Sequence, residues 1–181
     1  MPRIPTIKTK ADVAPGGEAA ADAVLKVFGH IRGPFSVLLH SPPLAERLAP
    51  MVDFVRAGTL VEPPLRFIAI LGAARECDAP YVWAAQVEQA RKHGFAEALI
   101  DHIRAQREPA ALPVEARDVL DYAIQLTRSH RAEEALFNRL RDRHGVRWLV
   151  ELTATLNFFV FVSGIANAFD VDLPAGGDRL R

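Results

Sequence analysis

The side chains able to do chemistry are few in this 181-residue sequence: one cysteine, six histidines, and carboxylates set beside apolar runs. Cys77 has no second thiol in the chain, which excludes an internal disulfide and any multi-thiolate zinc or iron–sulfur site within one subunit. It falls at the expected end of a helix, where the dipole disfavours a thiolate, and free cysteines are among the most buried residue types. Cys77 is therefore read as structural first, and as a lone reactive thiol only if that helix end is open. Glu76 in an apolar pocket would become a base with a raised pKa. Beside Arg75 it would equally be a solvated ion pair or an interfacial salt bridge, the plainer of the two readings.

Val82, Trp83 and Gln86 recur at helical spacings of three and four, and Ala79 and Ala90 extend the stripe. Such a face would line an apolar pocket with one amide handle, suited to a small neutral or aromatic molecule. Ordinary core packing, with Gln86 satisfying a backbone group, competes with that reading. His30 and His40 stand at helix ends near proline turns and could bring a titrating group to such a pocket. His93, His102, His130 and His144 fall at charged helix ends and read as surface residues. No pair of histidines has the spacing of a helical metal site, and no Glu-x-x-His occurs, so neither a metal nor another cofactor is expected. Gly16-Gly17 and Gly176-Gly177 lack the strand–turn–helix setting of a phosphate loop.

These groups must be positioned by helices. Residues 1–17, with Pro2, Pro5, Pro15, Gly16 and Gly17, have no periodicity and read as an extended arm able to wrap a neighbour. From Glu18 apolar residues recur at three and four, and Gly29 and Gly33 end that run. Pro34, Pro42-Pro43, Pro63-Pro64, Pro80 and Pro113 each open a further helix, and Gly58, Gly94 and Gly145 close others. In the helix after Pro64, small residues such as Gly72 and Ala73 allow close approach of a neighbour. Ser129, with Glu133 four residues on, precedes a helix carrying Leu136, Phe137 and Leu140. Val146 to Phe169 is apolar nearly all round, long enough for a bilayer, yet it carries Arg147, Glu151, Asn157 and Asn167. A helix buried at the centre of a domain or subunit interface is the simpler account. Glu151 should then meet an arginine of its own or a neighbouring chain, since a buried carboxylate is costly unless paired. That polarity, with Asn157, could specify subunit register; facing the pocket is the weaker alternative. The expected class is all-α, six to nine helices: a single domain over residues 18–169 followed by an irregular tail, 170–181.

The stretch Leu65 to Gly94, LRFIAILGAARECDAPYVWAAQVEQARKHG, resembles the central antiparallel helix pair of the carboxymuconolactone decarboxylase and alkylhydroperoxidase D-like superfamily. There a helix R-E-L-x-I-L-x-x-A-R leads into Y-E-W-x-x-H-x-x-x-A-x-x-x-G. Arg66, Ile68, Ile70, Leu71, Ala74, Arg75, Tyr81, Trp83, Ala90 and Gly94 keep that frame. His40-Ser41-Pro42 upstream, and Asn167-Ala168-Phe169 with Leu173-Pro174 downstream, match further features of the longer members.

The resemblance implies an all-α homo-oligomer, commonly a trimer or hexamer, with a pocket near a subunit boundary. It implies either thiol peroxidase chemistry on Cys-x-x-Cys-x-x-x-His with a supporting glutamate, or decarboxylase-type chemistry on histidine and glutamate. Aligned on Tyr81 and Trp83, this sequence has Ala79 and Val82 at the cysteine positions, Gln86 at the histidine and Phe67 at the glutamate. Alanine and valine can neither attack nor resolve a disulfide. Gln86 hydrogen-bonds in both senses but carries no proton near pH 7. The expectation is a family member without the redox constellation, either a non-redox lyase or isomerase or a binder of a small aromatic or lactone-like acid. Phe67, Ala79, Val82, Trp83 and Gln86 would form its pocket, with Glu76, His40 or His30 for proton transfer. A non-catalytic oligomeric scaffold is the alternative, and a peroxidase acting through Cys77 with an external thiol is the third reading.

Balanced charge, 22 basic against 22 acidic residues, gives no broad field for nucleic acid or an anionic membrane surface. Half the residues are hydrophobic, enough for a core without staples. The first residues carry no apolar stretch behind their charges, so no signal peptide is read and a cytoplasmic protein is expected.

Overall fold

The computed structural model describes residues 2–181, which form nine α-helices and no strand. They are α1 (Glu18–Phe28), α2 (Pro34–Leu38), α3 (Pro42–Asp53), α4 (Pro63–Glu76), α5 (Pro80–Lys92), α6 (Glu97–Arg104), α7 (Val114–Ser129), α8 (Glu134–His144) and α9 (Val146–Ala168). The all-α class and helix number match the expectation from periodicity. Proline opens α2, α3, α4 and α5, because a first-turn residue has no intrahelical use for the missing N–H. Gly29 closes α1 in the left-handed region, its N–H meeting the Leu25 carbonyl at 2.7 Å.

α4 is the axis of the molecule. Every residue from Leu65 to Ala74 is buried, and the helix packs against α5, α7 and α9. Gly72 sets the distance to α7: a Cβ there would stand 3.0 Å from Leu120 and 3.3 Å from Ala123. α5 follows after only Cys77–Ala79 and lies against α4. α9 is the one helix among the described residues long and apolar enough to cross a membrane, and it buries Trp148, Leu152, Leu156, Phe159 and Val162 in the core. Its carboxylate Glu151 accepts from Arg147 Nε at 2.8 Å and from the Leu60 N–H at 2.6 Å. The arginine that position demanded comes from its own chain, one helical turn away.

Two features depart from the sequence reading. α7 runs through Ser129 and stops at His130, which takes a left-handed φ of 59°, so α8 begins at Glu134 rather than just after Ser129. After α3 the chain widens into a π turn, Phe54–Gly58, before Gly58 releases it. The arm lies on its own chain: Ile7 is buried with its N–H on the Ser36 carbonyl, and Arg3 pairs with Asp170. The irregular tail is likewise anchored, with Leu180 buried and Arg181 paired to Asp78.

Candidate functional site

A cavity of about 370 Å³ lies where the end of α1, the Gly29–Gly33 turn, α2, the α3 π turn, α5 and α9 meet. Residues 82, 86 and 89 are spaced four and three apart, so Val82, Gln86 and Gln89 share one face of α5, and that face borders the cavity. Phe158, Phe159 and Val162 of α9 and Phe35 of α2 complete an apolar wall. Phe28 ends α1 with its ring 5.0 Å from Phe35 and 6.3 Å from His30, and the Arg56 guanidinium carbon lies 5.7 Å from its centroid. Gly33, at a φ of 64°, makes the turn possible beneath Tyr81.

Charge at this cavity is one-sided. Arg32, Arg56 and Lys92 border it together with His30. His30 is exposed at the cavity mouth, where partial desolvation, and then the charges of Arg32 and Arg56, hold its imidazole below its ordinary pKa, so the ring is mainly neutral near pH 7. Lys92 is paired with Glu88 at 2.6 Å. Neither Arg32 nor Arg56 makes an ion pair among the described residues. Burial raises the Tyr81 phenol above its usual range, leaving it a neutral hydroxyl.

Of the residues singled out from sequence, the cavity brings together Val82, Gln86 and His30. Trp83 lies outside it, fully buried, with Nε1 donating to Asp178 Oδ1 at 3.0 Å. Successive helix residues are about 100° apart, so Val82 and Trp83 face different neighbours despite sharing the stripe's nominal spacing. Ala79, one turn before Trp83, is buried at the start of α5. Phe67 packs against His93 and Phe95, at 5.3 and 6.0 Å between centroids.

Glu76 is clasped by Arg128 and accepts from Gln106 Nε2 at 3.1 Å. It borders a separate cleft of about 230 Å³, where burial raises the carboxyl of Asp121. His40 points to the arm, its Nε2–H donating to the Pro5 carbonyl at 2.8 Å. Cys77 caps α4, half-buried; burial, and then the charge of Glu76, push its thiol above the ordinary range. Two histidines read as surface residues are not: His102 is buried, and His144 stacks on Trp148 at 3.9 Å. Their helix ends are charged, but the helices turn those positions inward. Asn157 is exposed and donates to the Thr153 carbonyl.

Sequence reasoning missed Phe28, Phe158, Phe159, Gln89, Tyr81, Arg32 and Arg56 as cavity residues. Gln89, three residues beyond Gln86, was available from helical spacing alone. Arg32 and Arg56 come from two separate turns, and no local pattern links them. Among the described residues no group of three or more histidine, cysteine or carboxylate side chains is placed to hold a metal. In comparisons with known proteins, the chain matches no family model and no curated protein.

Proposed function

We propose that this chain is a divergent relative of the carboxymuconolactone decarboxylase-like proteins that binds a small aromatic or lactone-like acid, as a binder or as a non-redox lyase or isomerase. The observation that carries this reading is the 370 Å³ cavity beside Gln86, within the size range of small-molecule sites and walled mainly by apolar side chains. His30 is the titrating imidazole on that cavity, neutral near pH 7 and so able to accept a proton. It is the group assigned to proton transfer if turnover occurs; Gln86 and Gln89 would orient the substrate by hydrogen bonds.

The test is thermal stability in the presence of aromatic and lactone acids. A ligand at ten times its dissociation constant should raise the melting temperature by about 3–5 °C. Val82→Trp, which fills the cavity, should abolish that rise while the protein stays folded. Acids that shift wild type and Val82→Trp alike would defeat the reading.

A second reading, the oligomeric scaffold, has its own support. Val146, Val150 and Phe161 on α9 and Phe137 on α8 are exposed, and an apolar groove runs between α8 and α9. Exposed apolar patches of this kind serve association, and a second copy of the chain is the proposed occupant. The peroxidase reading has the least support, since Cys77 is outside the cavity with its thiolate disfavoured. Equal hydroperoxide consumption by wild type and Cys77→Ser would remove it.

A further inference from the structure

Two paired-guanidinium sites elsewhere in the molecule show what such pairs require. Arg91 and Arg104 converge on Asp178, with Arg91 Nη2 at 2.8 Å from one carboxylate oxygen and Arg104 Nη2 at 2.7 Å from the other. Arg139 and Arg143 converge on Asp118 at 3.1 and 3.2 Å. Asp118 also meets Arg117 at 3.7 Å, while Arg91 and Arg104 have further partners in Glu97 and Asp101, so at both sites the converging guanidiniums are matched by carboxylates. Arg32 and Arg56 both border the cavity and both lie near enough to His30 to depress its protonation; neither makes an ion pair with a described carboxylate, though the charge of Arg32 is felt at Glu88. Glu88, the carboxylate whose charge reaches both His30 and Tyr81, is hydrogen-bonded to Lys92. The surrounding ionisable groups are thus Arg32, Arg56, Lys92, His30, Tyr81 and Glu88, an excess of positive charge at the mouth of an apolar chamber.

We propose that Arg32 and Arg56 form an anion seat for the carboxylate of a ligand whose apolar body lies against Phe35, Val82, Phe158 and Phe159. The proposal rests on the reading of the cavity as a small-molecule site and names the chemistry that selects its ligand. A guanidinium presents planar donors matched to a carboxylate, and such charge-assisted bonds are stronger than neutral ones. The Arg56 guanidinium near the Phe28 ring is held by a cation–π contact rather than a counter-ion, which leaves its N–H groups free to engage an anion. A carboxylate fits better than a phosphate monoester: Phe35, Val82, Phe158 and Phe159 make the wall for the ligand body apolar, and desolvating a dianion beside it costs more than desolvating a monoanion. A ring-sized body suits the volume.

The experiment compares 3-phenylpropionate with 3-phenylpropanamide by calorimetric titration of the full-length chain near neutral pH. The two ligands share a body and differ in head charge. The acid should bind about tenfold or more tightly than the amide, as expected for charge-assisted contacts. Arg32→Gln and Arg56→Gln should each remove most of that preference, weakening the acid far more than the amide, with melting curves verifying the fold. High salt should weaken the acid alone. Equal binding of acid and amide, or a preference that survives in the double variant, would overturn the seat while leaving the small-molecule reading intact. Acid binding that persists in Val82→Trp would place the anion outside the cavity and also overturn it. Failure of both compounds to bind would bring down the cavity reading and the seat with it.

Discussion

Gly33 turns the chain between α1 and α2 at a φ of 64°, and a Cβ added there would lie 2.2 Å from the Tyr81 hydroxyl. Two penalties therefore coincide at one residue, left-handed backbone strain and collision with a buried ring that borders the cavity. Gly33→Ala should destabilise the fold by about 1–3 kcal/mol and disturb the cavity by displacing Tyr81. Thermal or urea unfolding measures the first effect, and Tyr81 ring resonances report the second. Gly16→Ala is the comparison: that glycine also has a positive φ, 85°, but a Cβ there meets nothing, so only the strain would remain. Unchanged stability in Gly33→Ala would mean that the turn does not depend on the close contact.

At the scale of elements, Asp178 binds the tail to the two helices it crosses. Its carboxylate takes the Trp83 indole N–H of α5, Arg91 of α5 and Arg104 of α6, and its side chain is 12% exposed. Burial alone would raise that carboxyl, but the bonds from Trp83, Arg104 and Arg91 outweigh it and hold it below the usual carboxylate range. A pKa lower in the folded than in the unfolded chain adds stability above the unfolded value, about 3.9, and that contribution is lost as pH falls through the folded value. Wild type should therefore lose a little stability as pH falls below about 6.5, where the unfolded chain protonates His30 before the folded chain does, and lose the carboxylate contribution below about pH 4. Asp178→Asn should cost about 2–4 kcal/mol at neutral pH and flatten the acid limb, as scanning calorimetry across pH would record. Asp118, Glu62 and Glu151 are also held low, so the acid limb should shrink rather than vanish. An unaltered acid limb in Asp178→Asn would show that the tail contributes nothing to it.

For the whole molecule, α4 is buried over ten consecutive residues, while α9 keeps Val146, Val150 and Phe161 uncovered. The two long apolar stretches that the sequence offers thus have different roles: α4 fills the centre of one chain, and α9 closes the core with one face and presents the other outward. If that outer face joins two copies, wild type should sediment above the monomer mass of 19.9 kDa at micromolar concentration. Val150→Asp should return it to monomer without altering its helical content, because Val150 is exposed in the single chain. A monomeric wild type at tens of micromolar would end the association proposal.

The sequence by itself determined the all-α class and most helix boundaries, though not the start of α8 or the π turn after α3. Proline at the first turn and glycine after the last act through one residue's own backbone, so the starts of α2, α3, α4 and α5 and the stop at Gly29 were legible without partners. The need of Glu151 for an arginine was legible for a similar reason, because its partner lies on the next turn of the same helix. Tertiary structure decided which face of each helix meets which neighbour. It separated Val82 from Trp83 and gave Glu76 to Arg128 and His40 to Pro5. It also carried Arg32 and Arg56, 24 positions apart in sequence, to the same cavity. Local backbone preferences are written residue by residue, but a charge's neighbours across a packed core follow only from how whole helices come together.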